Sequence, residues 1–191
     1  AETLQNTTED DLYAQSIERV KSVIKMGTGA LEIKSGYGLT VDAELKMLRV
    51  IKRIKQDVPI NIKATFLGAH AIPKEYATNK NGYIDLIIRD MLPAVAQENL
   101  ADFIDVFCEK GYFSLEDTKR LMAAGKQFGL TPKIHVNQFN TFGGVSLGVA
   151  YKALSVDHLE VMNPDDFEAL KGSSTMPVAL PSCSYFLSIP N

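Results

Sequence analysis

The sequence predicts an α/β fold built on parallel strands, because short apolar runs alternate with amphipathic helical stretches along the chain. Residues that cap helices and glycines that end them separate these runs in regular order. All three histidines stand at the carboxyl end of a predicted strand. Strict alternation implies right-handed crossovers, which occur both in doubly wound sheets and in barrels of eight strand–helix units. Alternation alone does not choose between these two folds.

The first two long helices are predicted from their caps and their apolar spacing. Thr8 and Asp11 form a capping box before an apolar stripe that ends at Gly27. From Asp42 onward, apolar residues recur at every third position over residues 45–54. The sequence therefore predicts a helix on each side of the first strand.

The later helices follow the same rules. Residues 83–95 suit a helix that Pro93 kinks or splits. Ser114 begins a second capping box before a helix that ends at Gly129. A short helix follows the glycines at 143–144, and another begins at Asn163, which is followed by a proline at the first helical position.

Six strands are predicted between these helices. They cover residues 30–33, 60–67, 103–107, 132–136, 153–156 and 176–180. The structural repeat carries no sequence period and no low-complexity linker interrupts it, so we predict one domain over residues 1–191.

Composition limits the classes of function. The chain has 191 residues, 46% of them apolar and 23% charged, as in an ordinary globular domain. A formal charge of -3 with scattered basic residues argues against a nucleic-acid partner. Small-molecule chemistry is the better expectation.

Cellular location is predicted from cysteines and apolar runs. Cys108 and Cys183 are too few for a disulfide framework, which favours a reducing compartment, and the cytoplasm fits best. The polar, acidic start of the chain lacks the pattern of an export signal. Prolines break the apolar stretch 176–189, so we expect no bilayer span and no membrane partner.

The three histidines are the main indication of chemistry. His70, His135 and His158 each end or follow a predicted strand, and loops at the carboxyl ends of parallel strands build active sites. Converging imidazoles suit a metal ion, proton transfer near neutral pH, or both. Any one of them taken alone is more often an ordinary core or surface histidine.

Other polar residues near the predicted strand ends are first considered for structural roles. Side chains alternate along a strand, so Asp157 is expected to point away from His158 and to pair with the scaffold. Cys108 lacks an evident activating base and is interpreted as a small buried apolar residue. The glycines around Tyr37 allow a sharp turn that would place the phenol at the carboxyl ends of the strands, where an active site is expected. A turn without a functional role remains the alternative.

Four motifs in order carry a resemblance to a known family. They are EIKSGYGL at 32–39, TFLGAHA at 65–71, KIHVNQ at 133–138 and DHLE at 157–160. Together they resemble the strand-end motifs of imidazolonepropionases, over nearly the whole chain. That resemblance implies the (β/α)8 barrel of the amidohydrolase superfamily, with the six strands here corresponding to its second through seventh.

The resemblance also implies roles for five residues. His135 matches a metal ligand of the family, and His158 matches the histidine beside the nucleophilic water. Tyr37 and His70 match substrate contacts. Gln138 matches a catalytic and substrate-contacting position that is glutamate in some members, although an amide exchanges hydrogen bonds and does not shuttle protons.

The remaining implied parts lie outside these residues. The family takes a His-x-His pair from its first strand and an aspartate from its last, and a substrate-binding arginine and asparagine accompany them. One Zn²⁺ or Fe ion per subunit is implied, and residues 1–191 alone are expected to be inactive because they supply one metal ligand.

The implied reaction is hydrolysis of 4-imidazolone-5-propanoate to N-formimidoyl-L-glutamate. The alternatives are another amidohydrolase acting on a cyclic amide or amidine, and an inactive barrel fragment. Whether the protein forms a homodimer stays open.

Overall fold

The protein, described here by a computed structural model over residues 1–189, consists of two compact units. Unit 1 is Ala1–Phe103 and unit 2 is Ile104–Asn191. Strands and helices alternate through both units, which confirms the predicted α/β class. A single domain over residues 1–191 stays a prediction.

Unit 1 contains two complete parallel strands and the helices that flank them. Its elements are α1 (Glu2–Asn6), α2 (Glu9–Lys25), β1 (Ala30–Lys34), α3 (Val41–Asp57), β2 (Asn61–Ala69), a 3₁₀ turn (Lys74–Tyr76), α4 (Lys80–Leu86), a π-helical turn (Ile87–Met91) and α5 (Leu92–Gln97). β1 and β2 pair in parallel, from Ala30 opposite Asn61 to Lys34 opposite Thr65. This register brings the carboxyl ends of both strands to one edge of the pair.

Caps and an apolar stripe hold the helices of unit 1. The Thr8 hydroxyl accepts a hydrogen bond from the Asp11 amide at 3.1 Å, so Thr8 is the N-cap of α2 as predicted, but the Asp11 carboxylate accepts from the Thr8 hydroxyl at 2.7 Å in place of the second bond of the predicted capping box. In α3, Leu48, Ile51 and Ile54 are buried, which confirms the predicted three-residue spacing. Each such burial contributes about 1.5–3 kcal/mol to stability.

The helix predicted over residues 83–95 is three elements. α4 ends at Leu86, a π turn covers Ile87–Met91, and α5 begins at Leu92 with Pro93 in its first turn. Proline has no N–H to bond the carbonyl four residues earlier, and its ring presses on that carbonyl in a regular helix. The wider π turn before Pro93 removes this conflict.

Unit 2 contains the remaining strands in sequence order. Its elements are β3, which starts at the unit boundary (Phe103–Cys108), α6 (Leu115–Gln127), β4 (Thr131–Val136), α7 (Gly144–Ala150), β5 (Ser155–His158), α8 (Pro164–Leu170), β6 (Met176–Ala179) and α9 (Pro181–Phe186). The strand order is β3-β4-β5-β6, and β4 with β5 and β5 with β6 are parallel. Cys108, Met122, Ile134, Val136 and Val156 form part of the core of the unit.

Capping boxes begin two helices of unit 2. Ser114 and Asp117 bond reciprocally at the start of α6, and Asn163 and Asp166 do so at α8. Both starts agree with the sequence prediction. The two short helices at the ends of the described chain, α1 and α9, were not predicted, because neither has a side-chain cap or an apolar stripe.

The fifth strand differs from its prediction. Residues 153–156 were expected, whereas β5 covers Ser155–His158, so His158 is the last residue of the strand. The shift follows from register, since Asp157 pairs with His135 and His158 with Val136 on β4. Across residues 1–189, every helix falls short of the length or the apolar content needed to cross a bilayer.

Candidate active site

Three adjacent strands of unit 2 each supply one buried ionisable group to a compact cluster. Asp105 comes from β3, His135 from β4 and Asp157 from β5, and one ligand atom from each lies within 4.8 Å of the others. His135 Nδ1 is 2.9 Å from Asp105 Oδ2. Register explains part of this grouping, because in-register residues of parallel strands point to the same face.

A buried lysine balances part of the negative charge. Lys133 lies two residues before His135 and therefore on the same face of β4, with its Nζ 3.5 Å from Asp157 Oδ2. Both side chains are more than nine-tenths buried. The Ser155 hydroxyl donates a further hydrogen bond to Asp157 Oδ1. Buried carboxylates need such partners, since an unpaired buried charge is strongly destabilising.

We predict that Lys133→Met lowers the free energy of unfolding by about 3 kcal/mol, because the Asp157 carboxylate then stays buried without its lysine. Chemical denaturation of the full-length protein measures the change. Lys119→Met is the matched control, since it breaks an exposed pair with Glu116 and should leave stability unchanged. An unaltered midpoint for Lys133→Met would show that the buried pair is energetically neutral.

The side chain of His158 lies beside the cluster because its backbone has an unusual conformation. His158 has φ 93° and Leu159 has φ 63°, and both values are rare for residues with a side chain. The regular alternation of the strand is thereby broken, and the rings of His158 and His135 lie 5.2 Å apart between centroids. The side chains of Asp157 and His158 consequently both lie close to His135, and the expectation that they point apart is wrong.

A carboxylate behind His158 holds its ring. His158 Nδ1 is 3.3 Å from Glu160 Oε1, which also accepts a hydrogen bond from the Ser184 hydroxyl at 2.8 Å. Burial lowers the pKa of His158, His135 lowers it further, and Glu160 opposes both effects. The imidazole is therefore kept neutral near pH 7 and able to accept a proton.

Gln138 lies in the loop after β4 and is buried. Its Nε2 atom is 3.9 Å from the sulfur of Cys183. The carboxylate of Glu109 fixes the adjoining loop residues, accepting hydrogen bonds from the Phe139 amide at 3.0 Å and from the Asn140 side chain at 3.1 Å. Gln138 is thus carried on a restrained segment.

Unit 1 brings together the other two predicted site residues. The rings of Tyr37 and His70 meet edge to face with centroids 4.8 Å apart. Tyr37 is 59% exposed. His70 Nδ1 is 3.3 Å from the carbonyl oxygen of Gly36. That this pair shares one active site with His135 and His158 stays a prediction.

Sequence reasoning missed three charged residues that surround the unit 2 histidines, namely Asp105, Lys133 and Glu160, whereas the expected pairing of Asp157 with the scaffold is confirmed by its contacts with Lys133 and Ser155. Asp105 and Lys133 carried a usable signal, because a charge inside an apolar strand is costly unless it is paired. Cys108 is fully buried, and burial raises its pKa to about 11, so its interpretation as an unreactive core residue is confirmed.

Some of the side chains of the cluster are suited to bind a metal ion. One imidazole and two carboxylates are ligands that Zn²⁺ and iron accept. Lys133 and Ser155 already occupy the Asp157 carboxylate, however, which suits it better to supporting the site than to ligation. His135, with Asp105 against its Nδ1, is the residue of the cluster best placed to hold a metal.

Comparison with known proteins finds relatives in the family that the sequence motifs resemble. No family model matches the chain. The chain is 66% identical to the imidazolonepropionase of Flavobacterium johnsoniae over 190 residues, which is 100% of this chain and 46% of that protein. It is 65% identical to the imidazolonepropionase of Christiangramia forsetii (98% and 46%) and 47% identical to that of a Shewanella species (94% and 44%). The chain therefore spans about half the length of these relatives.

Solved structures share the fold at low identity. A 5-methylcytosine deaminase from Klebsiella pneumoniae matches 95% of this chain and 46% of its own, with a TM-score of 0.71 and 13% identity. An adenine deaminase from Arthrobacter aurescens matches 96% and 56%, with a TM-score of 0.69 and 14% identity. A zinc-bound amidohydrolase from Burkholderia ambifaria matches 96% and 52%, with a TM-score of 0.66 and 17% identity. The fold is that of the amidohydrolase barrels, as the sequence resemblance implied, and residues 1–189 contribute six strands to it.

Proposed function

We propose, from the membership of this chain in the imidazolonepropionase family, that the whole protein hydrolyses 4-imidazolone-5-propanoate to N-formimidoyl-L-glutamate in histidine degradation. The observation that carries the proposal is the pairing of His135 and His158 at the ends of neighbouring strands, within a buried acidic cluster. A neutral imidazole beside a metal-holding one is an arrangement suited to hydrolysis by water.

In this reaction water adds to the ring carbonyl, the bond from that carbon to the ring nitrogen breaks, and the nitrogen gains a proton. His158 accepts the proton of the water and, once charged, stabilises the oxyanion by a hydrogen bond. Glu160 supports this role, because its carboxylate stabilises the imidazolium that forms.

His135 would hold the metal ion, one Zn²⁺ or Fe per subunit, with the remaining ligands outside this chain. When bound, the ion supplies Lewis acidity that lowers the pKa of water toward roughly 7. Tyr37, His70 and Gln138 orient the substrate ring by hydrogen bonds and contact. We place this chemistry in the cytoplasm, with a small molecule as partner.

The test is turnover by the full-length protein. Purified protein should convert 4-imidazolone-5-propanoate to N-formimidoyl-L-glutamate, followed by product chromatography, and should contain about one equivalent of Zn or Fe. Turnover of a different cyclic amide or amidine alone would indicate another amidohydrolase activity. Absence of both turnover and metal would indicate a barrel without catalysis.

We predict that Tyr37→Phe lowers kcat/KM roughly two- to twelvefold, because it deletes one hydroxyl worth about 0.5–1.5 kcal/mol. Metal content should not change. Tyr13→Phe is the matched control, since its hydroxyl contacts Asp57 on the exposed surface of unit 1. Steady-state kinetics unaltered by Tyr37→Phe would identify the 35–39 loop as a plain turn.

A further inference from the structure

Glu44 is a buried carboxylate with an unusual set of partners. It lies in the first turn of α3 and is fully buried. Its Oε2 atom accepts a hydrogen bond from the Gly36 amide at 2.9 Å, and its Oε1 atom accepts from Gly38 at 2.7 Å and Leu39 at 3.0 Å. One side chain thus satisfies three backbone donors of a single loop.

The loop is shaped around this carboxylate. Gly36 has φ 115° and Leu39 has φ 61°, left-handed conformations that turn successive N–H groups toward one point. A Cβ at Gly38 would lie 2.6 Å from the backbone of Ala43 and Glu44, so only glycine allows the loop to approach α3 this closely. Such a concave set of N–H groups binds an anion, and here the anion is Glu44.

Both ends of the Tyr37–His70 pair depend on the same loop. Tyr37 lies between two residues whose amides Glu44 holds, Gly36 and Gly38. The Gly36 carbonyl oxygen in turn lies 3.3 Å from His70 Nδ1. The position of the phenol and one contact of the imidazole are therefore set by the anchoring of this loop to Glu44.

We propose that Glu44 is a positioning residue, whose carboxylate fixes the 35–39 loop so that Tyr37 and His70 are held ready for the substrate. The inference rests on the proposed function, because it assigns Glu44 a purpose through two substrate contacts. A carboxylate is required because all three partners are donors. Glutamine would turn an NH₂ group toward one of these N–H groups, lose that bond and add a repulsion.

The test is a double-mutant cycle in the full-length protein. Glu44→Gln should lower kcat/KM about tenfold with unchanged metal content, because a small displacement of substrate-orienting groups is costly. In a Tyr37→Phe background the same change should cost less than in the wild type, by up to the fold-loss that Tyr37→Phe itself causes, since coupled residues are not additive. Equal fold-losses in both backgrounds would overturn the proposal, because Glu44 would then act independently of Tyr37.

Asp102→Asn provides the matched control. Asp102 also accepts a backbone hydrogen bond in unit 1, from Ala64 at 2.9 Å, but it does not touch the 35–39 loop. Its effect on kcat/KM should be less than about twofold and should multiply with that of Tyr37→Phe. A coupling as large as that of Glu44→Gln would show a general loss of rigidity and would overturn the proposal.

Amide hydrogen exchange separates this inference from the proposed function. The amides of Gly36, Gly38 and Leu39 should be protected in the wild type and exchange at least tenfold faster in Glu44→Gln, whether or not imidazolone propanoate is the substrate. Glu44→Asp, whose shorter side chain cannot span all three donors, replaces Glu44→Gln if that variant does not fold. Unprotected loop amides in the wild type would overturn the proposal even in an active enzyme.

Discussion

His135→Ala in the full-length protein is expected to abolish both metal binding and hydrolysis. The change removes the imidazole best placed as a ligand and leaves Asp105 and Asp157 beside a cavity. Loss of a supporting residue alone weakens metal binding by about 10–100-fold, and loss of a ligand should exceed this. Elemental analysis and competition with a chelator measure the change directly.

A matched control deletes an imidazole elsewhere. His70→Ala removes the same side chain from unit 1, where His70 contacts Tyr37 and the carbonyl of Gly36, and it should retain about one metal equivalent. If His135→Ala kept stoichiometric metal and turned over normally, His135 would be a structural residue of β4 and the assigned ligand would be wrong.

His158→Gln should keep the metal and lower kcat by roughly 10²–10⁴-fold, the range for removal of a general acid–base group. Glutamine holds a hydrogen bond at this position but cannot take a proton from water near pH 7. Turnover number and metal content, measured on the same preparation, distinguish chemistry from ligation.

Two outcomes of this variant would contradict the assignment. Metal loss would make His158 a ligand, in keeping with its ring lying 5.2 Å from that of His135. A kcat within a few-fold of the wild type would instead show that the proton is accepted by a group other than His158.

Most of the helix and strand pattern could be predicted because it depends on local chemistry. Thr8, Ser114 and Asn163 cap helices where the sequence placed them, since a cap joins residues three positions apart. The carboxyl ends of strands were located well enough to select all three histidines. The π turn before Pro93 was not specified, because the proline signals a break but not the form it takes.

The immediate surroundings of the site histidines needed more than local chemistry. Asp105, Lys133 and Asp157 lie on three strands, and their distances to His135 depend on register and on side-chain direction. The strand alternation used to separate Asp157 from His158 failed because the backbone of His158 is left-handed. No residue type at that position announces such a conformation, and the surrounding packing maintains it.

By itself, the sequence determined the α/β class, the capped starts of the helices at Thr8, Ser114 and Asn163 and the resemblance to imidazolonepropionases, and it selected Tyr37, His70, His135, Gln138 and His158 as candidates, because each depends on residue type and short-range spacing. Only the tertiary structure decided which buried charges surround His135, how His158 turns toward it, and that Glu44 holds the loop of Tyr37. Some of these contacts join residues from different strands or helices, and the direction of His158 depends on an unusual φ angle. Their energies come from burial and from paired charges, which exist only once the strands are side by side.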